Sequence, residues 1–506
     1  MKAMVRVRFA PSPTGYLHIG GLRTALYNEL FSLRHGGVFL LRIEDTDRTR
    51  YVEGAVENLL RTLAWAGVQP AEGPYIAEDG TIKERGAHGP YVQSARLHIY
   101  REHADRLLAS GNAYRCFCTP ERLEEVKKAQ AAAKQPMMYD RHCQTITDAN
   151  ERVADGQSWV LRLRVPQEGS TAFTDAIRGD VSFENKLVDD QVLMKSDGFP
   201  TYHLANVVDD HLMDVTHVIR GEEWLPSTPK HVLLYEAFGW VPPVFAHLPL
   251  LLNADRSKLS KRQGDVAVED YRKKGYLPEA ITNFVALLGW NPTADREVYA
   301  KAELSSAFDL GKINKAGAVM SVEKLDWLNG EYLKAMLAGE LMERTEAFFR
   351  EYGFAGLDAL QASGDVFTVQ REAMTRAVTL EKSRAKNLVE LLDAARALLA
   401  PDAYDAGILP GKKGTPETAK ARLTALRAFF AGMEDADFED AKGVEAATIE
   451  CIKAHAADGW SNGDTLWPLR VALTGREASP SPFEVAWAVG KAETLARIDT
   501  ALTKLA

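Results

Sequence analysis

Two stretches, far apart in the chain, hold residues suited to chemistry on a polyphosphate. The first is Arg8-Phe9-Ala10-Pro11-Ser12-Pro13-Thr14-Gly15-Tyr16-Leu17-His18-Ile19-Gly20-Gly21. Gly20 and Gly21 let a ligand approach the backbone, and a helix starting there offers unpaired N–H groups and a partial positive charge. His18 beside them could donate hydrogen bonds to a phosphate. The loop contains neither G-x-x-x-x-G-K-[ST] nor G-x-G-x-x-G, and taken alone H-x-G-G would describe a tight turn with a solvated histidine. The second stretch places Arg256, Lys258, Lys261 and Arg262 within seven residues, between Asn253-Ala254-Asp255 and Gln263-Gly264-Asp265. A charge run is usually a solvated face. Straight after an apolar run, with Gly264 as a hinge, this one suits a cationic clamp on a triphosphate.

A third constellation is made of thiols. Cys116 and Cys118 stand at C-x-C spacing, and Cys143 returns after a charged helical excursion over residues 120–134. Two thiols so spaced can grip one metal, and soft thiolates with a borderline fourth ligand suit Zn²⁺. Four cysteines in 506 residues do not read as a disulfide framework.

These groups need elements to hold them. Residues 5–9 are a short strand ending in a Pro/Ser/Gly turn. From Gly20 the residues Leu22, Leu26, Leu30 and Leu33 recur at helical spacing, and His35-Gly36-Gly37 closes that helix. A second apolar run, 38–43, ends abruptly in Glu44-Asp45-Thr46-Asp47-Arg48. The result is a strand–loop–helix–strand unit with polar residues at the carboxyl ends of both strands, the edge where ligands sit in open parallel sheets. Further on, Arg220 ends another strand-like run. It could be half of a surface ion pair, or a fork onto a substrate carboxylate, for which a guanidinium is geometrically suited.

The pair His18-Ile19-Gly20-Gly21 and Lys258-Leu259-Ser260-Lys261-Arg262 resembles the HIGH and KMSKS signatures of class I aminoacyl-tRNA synthetases. The flanking words, residues 9–15 and 42–48, resemble those of the glutamyl-tRNA synthetases of bacterial type. Two departures stand out: the first signature lacks a second histidine, and arginine replaces the final serine of the second. The resemblance implies an ATP-dependent aminoacyl-tRNA ligase that activates glutamate as glutamyl-adenylate and transfers it to the terminal adenosine of tRNA(Glu) in protein synthesis. Its expected substrates and cofactors are L-glutamate, ATP and Mg²⁺. By position in that family, His18, Lys258 and Lys261 would be catalytic, with Gly20, Gly21 and Arg262 joining them around ATP. Arg8 and Arg220 would hold the glutamate side-chain carboxylate with Tyr202 and Asn206 nearby, and Glu44, Ala10 and Ser12 would receive its α-ammonium. Some members hold a structural zinc through a C-x-C…Y-x-x-x-C arrangement, which here falls on Cys116, Cys118, Tyr139 and Cys143; His142 competes with Tyr139 for the fourth position.

The implied fold is an α/β Rossmann-like catalytic domain, split by an α/β acceptor-binding insertion and followed by an all-α anticodon-binding region. The expected boundaries are 1–94 and 202–254 for the catalytic halves, 95–201 for the insertion, 255–337 for a stem-contact domain carrying the basic loop, and 338–506 for the anticodon domain. Lys382 and Arg384, expected near the start of a helix, are the anticodon contacts. The polar stretch 78–85 reads as a surface insertion without an assigned function. Glutaminyl-tRNA synthetases end in β-barrels, and the helical patterning after residue 266 speaks against them. The short relatives that glutamylate a tRNA base lack the last 170 or so residues.

Composition agrees with this class. Apolar residues make up 46% and charged residues 26%, ordinary for a globular protein of several domains. The net charge of −9 argues against a protein that coats nucleic acid, though local patches can still bind tRNA. No apolar run reaches the ~18 residues of a membrane span, and no signal peptide is expected. The expectation is a cytoplasmic, monomeric enzyme.

Overall fold

The computed structural model describes residues 4–259, 267–293, 295–353, 367, 370–401, 403–412 and 414–506. They fall into two compact units, Met1–Tyr271 with Pro278–Val322, and Arg272–Leu277 with Glu323–Ala506.

The first unit is built on strand β1 (Arg6–Phe9), helix α1 (Ile19–Arg34) and strand β2 (Val38–Leu41). β1 is buried along its whole length and pairs in parallel with β2, Phe9 standing opposite Leu41. The chain continues through α2 (Ala55–Trp65) into a hairpin, β3 (Gly73–Ile76) and β4 (Ile82–Arg85). Leu41 N–H donates to the Glu72 carbonyl at 2.9 Å, so β3 flanks β2. The stretch read as a polar insertion is thus β4 and its turn, with Gly80 at φ +79° and all four β4 residues exposed. A strand wet on both faces has no apolar alternation to betray it.

Next come α3 (Leu97–Ala109), β5 (Ala113–Cys116), α4 (Pro120–Ala132), α5 (Ala149–Ala154), β6 (Val160–Leu163), β7 (Ser170–Asp175), β8 (Gly179–Glu184) and β9 (Val192–Met194). β5, β6 and β9 form a three-stranded antiparallel sheet. Tyr100 and Leu107 of α3 share one apolar cluster with Leu161 and Leu193 of this sheet and with Leu204 and Val207 of α6 (Tyr202–Leu212). The β7–β8 hairpin, although inside the stretch expected to be an insertion, goes elsewhere. It extends the sheet made by β10 (His217–Gly221) and β11 (Val244–Leu248), helix α7 (Thr228–Phe238) lying between them in sequence. Asp175 of β7 stands opposite Phe245 of β11.

β10 lies on the far side of β1 from β2, with Thr216 N–H donating to the Arg6 carbonyl at 2.9 Å. Strand order therefore reverses between β1 and β10, the position at which open α/β sheets form a crevice beyond their carboxyl ends. β12 (Leu251–Leu252) and β13 (Ala318–Val319) pair in parallel, and α8 (Val268–Lys273), α9 (Pro278–Ala286) and α10 (Lys301–Ala307) follow the basic loop.

The second unit is helical. After α11 (Val322–Ala335) come α12 (Ala338–Tyr352), α13 (Arg371–Glu381), α14 (Leu388–Leu399), α15 (Pro416–Gly432), α16 (Ala441–Ala454), α17 (Asn462–Thr474) and α18 (Pro482–Lys504), the last broken at Gly490. The buried Arg497 of α18 donates to the carbonyls of Leu398, Leu399 and Leu473, capping the ends of α14 and α17 together. No helix among the described residues is long and apolar enough to cross a membrane.

Candidate active site and metal centre

The crevice at the strand reversal is a cleft of about 360 Å³. One wall is the start of α1. His18 is the N-cap of that helix: its Nδ1 accepts from the Gly21 N–H at 3.0 Å. That bond leaves the ring proton on Nε2, so the exposed imidazole presents a donor edge. A Cβ on Gly20 would lie 3.2 Å from the His18 ring, and one on Gly21 2.7 Å from Leu17; either would press on the cap. Lys258 lines the same cleft, carried by a tight turn in which Asn253 N–H donates to Ser257 O at 2.9 Å and Leu259 N–H to Leu251 O at 3.0 Å. Lys261 and Arg262 lie outside the described residues.

The floor holds a buried charge network. Arg8 Nε donates to both oxygens of Asp210 at 3.1 and 3.2 Å. Arg42, with no exposed surface, donates to Asp210 at 2.7 Å and to Glu44 at 2.9 Å. The Asn206 amide, turned with its oxygen toward the guanidiniums, accepts from Arg8 and Arg42 at 3.2 Å. Burial works to raise the Asp210 carboxyl, but Arg8 and Arg42 together hold it below the ordinary carboxylate range. Burial raises Glu44, with Arg42 opposing. Asp209 ties the network to the insertion, accepting from Gln93, Arg96 and Tyr100 at 2.7–2.9 Å.

Arg220 is built differently. It is 4% exposed, yet every partner it has among the described residues is neutral. Nε donates to His247 Nε2 at 3.1 Å, one terminal nitrogen to the Tyr202 hydroxyl at 2.9 Å and the other to the Thr228 hydroxyl at 3.0 Å. His231 Nδ1 lies 3.3 Å from it, its imidazole held neutral first by burial and then by Arg220. A buried guanidinium at the wall of the cleft, with no touching carboxylate among the described residues, is chemically suited to receive an anion.

The cleft thus brings together Arg8, Ala10, Ser12, His18, Gly20, Gly21, Glu44, Tyr202, Arg220 and Lys258, with Asn206 directly behind. Sequence reading missed Arg42, Asp210 and Trp224. The last packs its ring tilted against Tyr202 with ring centres 4.2 Å apart and also lines the cleft. Arg42 stood in a word already singled out, but a residue that acts by orienting another leaves no spacing signal of its own.

The thiols also converge. The sulfurs of Cys116, Cys118 and Cys143 lie within 4.8 Å of one another, with Cys118 and Cys143 at 3.5 Å. The Tyr139 hydroxyl is 3.3 Å from both Cys116 and Cys118. Phe117 N–H points at the Cys143 sulfur at 3.4 Å, and the Arg122 guanidinium at Cys118 at 3.3 Å. Three soft donors and a phenol oxygen around one point, with outer N–H groups aimed at the sulfurs, fit a tetrahedral Zn²⁺. His142 is exposed and outside the cluster, which favours Tyr139 as the fourth group.

In the helical unit, Lys382 and Arg384 do not begin a helix. Lys382 ends α13, and Arg384 sits in the turn before Asn387, whose side chain caps α14. The helical patterning read after residue 266 is interrupted there because Asn387 accepts from Glu390 N–H at 2.9 Å while Glu390 reaches back to Lys386 N–H at 3.0 Å, a reciprocal cap. Lys382 spends its ammonium on the Met336 carbonyl at 2.7 Å. Arg384 is exposed, lies 3.7 Å from Glu381, and lines a hollow with Arg476.

Comparison with known proteins bears on the chain as a whole. Residues 4–327 match the catalytic domain of class I tRNA synthetases (E and Q), and residues 340–502 match an anticodon-binding domain. The glutamate–tRNA ligase of Clostridioides difficile strain 630 is 45% identical over 504 residues, covering 98% of each chain. That of Chloroherpeton thalassium is 45% identical over 514 residues, covering 99% of this chain and 98% of its own. The crystal structure of a glutamate–tRNA ligase from Elizabethkingia meningosepticum in complex with its amino acid superposes with a TM-score of 0.86 at 35% identity, covering 99% of this chain and all of that one.

Proposed function

The chain belongs to the glutamate–tRNA ligases of class I, and from that premise we propose how its cleft divides the work. The enzyme is an ATP-dependent ligase that joins glutamate to tRNA. The glutamate α-carboxylate attacks the α-phosphorus of ATP and pyrophosphate leaves; a ribose hydroxyl of the terminal adenosine then attacks the acyl carbon and AMP leaves. Such chemistry needs alignment and charge stabilisation more than a protein nucleophile.

His18 Nε2–H and the amides at the start of α1 receive the ATP phosphates. Lys258, joined by Lys261 and Arg262, neutralises charge building on the departing pyrophosphate. Magnesium, general to this class with ATP, supplies further positive charge on the phosphates when bound. Arg220 receives the glutamate side-chain carboxylate, with Tyr202 fixing one arm of its fork. Arg8 and Asn206 border that end, and Glu44, with Ala10 and Ser12, receives the α-ammonium. The observation that carries this reading is Arg220, buried with only neutral partners among the described residues. Glutamine would leave that charge unanswered, so discrimination against it is large.

Zn²⁺ on Cys116, Cys118, Tyr139 and Cys143 is structural: it would cross-link β5 to the segment after α4 and take no part in the reaction. Residues 95–201 receive the acceptor end of tRNA(Glu), residues 255–337 contact its stem, and residues 338–506 read the anticodon, with Arg384 better placed than Lys382 to do so. The enzyme works in the cytoplasm as a monomer.

The deciding experiment is glutamate-dependent ATP–pyrophosphate exchange with and without tRNA(Glu). Exchange that requires tRNA is expected. Exchange indifferent to tRNA would point to the base-modifying relatives, and none under either condition would overturn the assignment.

A further inference from the structure

Arg220 is held at its Nε by His247, and His247 is held in turn by Asp175. The three side chains come from different strands, β10, β11 and β7, and are 4%, 0% and 0–1% exposed. His247 Nδ1 lies 2.6 Å from Asp175 Oδ2. The other carboxylate oxygen of Asp175 accepts the backbone N–H groups of Ile177 and Arg178 at 2.9 Å and of His247 at 3.3 Å. A carboxylate so surrounded by donors is ionised and can only accept, so the imidazole proton sits on Nδ1 and Nε2 carries a lone pair. That lone pair faces Arg220 Nε at 3.1 Å. The opposite tautomer would set N–H against N–H.

We propose that Asp175 and His247 are positioning residues for glutamate selection. Asp175 fixes the His247 tautomer, and His247 fixes the plane of Arg220 so that the guanidinium faces the substrate carboxylate. The inference rests on the reading of Arg220 as the carboxylate receptor. Its physical content is an arrangement of charge. A carboxylate in direct contact would satisfy Arg220 and compete with glutamate, as Asp210 already satisfies Arg8. Placing the negative charge one imidazole away balances the buried cation and leaves its donors to the ligand. Burial keeps His247 neutral, with Asp175 opposing, so the relay delivers orientation rather than a second positive charge. The hairpin that supplies Asp175 is joined to the sheet through the pairing of Asp175 with Phe245, which holds the carboxylate in register with His247.

The test uses the full-length enzyme with tRNA, measuring KM for glutamate, KM for ATP and kcat in pyrophosphate exchange, with melting temperature alongside. His247→Asn keeps a donor for Asp175 and removes the acceptor for Arg220; His247→Gln keeps an acceptor for Arg220 and loses the bond to Asp175. Asp175→Asn removes the charge, and Asp175→Glu restores it. His247→Asn and Asp175→Asn should each raise the glutamate KM about tenfold or more, leave the ATP KM within about twofold, and narrow the preference for glutamate over glutamine. Asp175→Glu and His247→Gln should recover part of the loss. Variants that lower kcat or melting temperature while glutamate KM stays put would overturn the proposal and leave the trio a structural brace. Arg220→Ala separates the two ideas. If it raises the glutamate KM and the His247 and Asp175 variants do not, the relay fails and the carboxylate reading stands; if Arg220→Ala leaves it unchanged, the carboxylate reading itself has failed.

Discussion

Arg42 donates to Glu44 at 2.9 Å with neither side chain open to solvent. Buried carboxylates deprived of their cation are costly, and Arg42 answers Glu44 and Asp210 together. Arg42→Met should therefore lose about 3–5 kcal/mol of stability, read from urea unfolding. A loss under about 1 kcal/mol would mean the network is not bearing on the fold. Glu44→Gln should unfold little earlier but raise the glutamate KM about tenfold or more, because the α-ammonium loses a charged acceptor.

One substitution can separate the cap that His18 makes from the phosphate contact proposed for it. His18→Ala removes the cap of α1 and should cost about 0.5–2 kcal/mol. His18→Asn supplies a good capping oxygen for Gly21 N–H but has no Nε2–H. Near-parental stability with pyrophosphate exchange lowered at least about a hundredfold is expected for His18→Asn. Recovered exchange would assign His18 to the cap alone.

The thiol cluster should hold about one zinc per chain in protein purified without chelator. Elemental analysis well below that would remove the metal reading. Cys143→Ser should lower the zinc content and melt residues 113–146 first, seen as faster amide exchange there than in β1 or β10.

Glu72 gives the enzyme an acid-sensitive edge. Its carboxylate accepts from both terminal nitrogens of Arg6 at 2.9 and 3.0 Å and from the Tyr91 hydroxyl at 2.7 Å, with His88 at 3.3 Å. Arg6 foremost, against burial, lowers its pKa from 4.5 to about 2. A depressed carboxylate contributes stability that is complete above its unfolded pKa and lost as pH falls through the folded one. The urea midpoint should thus fall between about pH 4.5 and 2, and Glu72→Gln should flatten that part of the curve. An unchanged slope in the variant would show that other carboxylates dominate.

Much of the site was legible because its chemistry obeys local spacing. His18, Gly20 and Gly21 share one helix start, Glu44 follows a visible strand, and the C-x-C thiols advertise themselves. What escaped was set by distant pairing. Asp175 sits in an alternating strand like any other, and only its register with Phe245 brings it to His247. Strand β4 escaped for the opposite reason, being polar on both faces. The break between α13 and α14 was readable: Asn387 and Glu390 form a capping pair that helical periodicity outvoted.

The docking of the β7–β8 hairpin onto β11 bears on how such enzymes can be recombined. Residues 95–201 look like a cassette, entered and left once by the chain. A chimera that exchanged the cassette whole would also exchange Asp175, and so hand the orientation of Arg220 to a foreign strand edge. A working graft has to leave residues 170–184 with the recipient and cut on either side of them. The segment is therefore transplantable only in two pieces, and its inheritance is tied to that of the cleft.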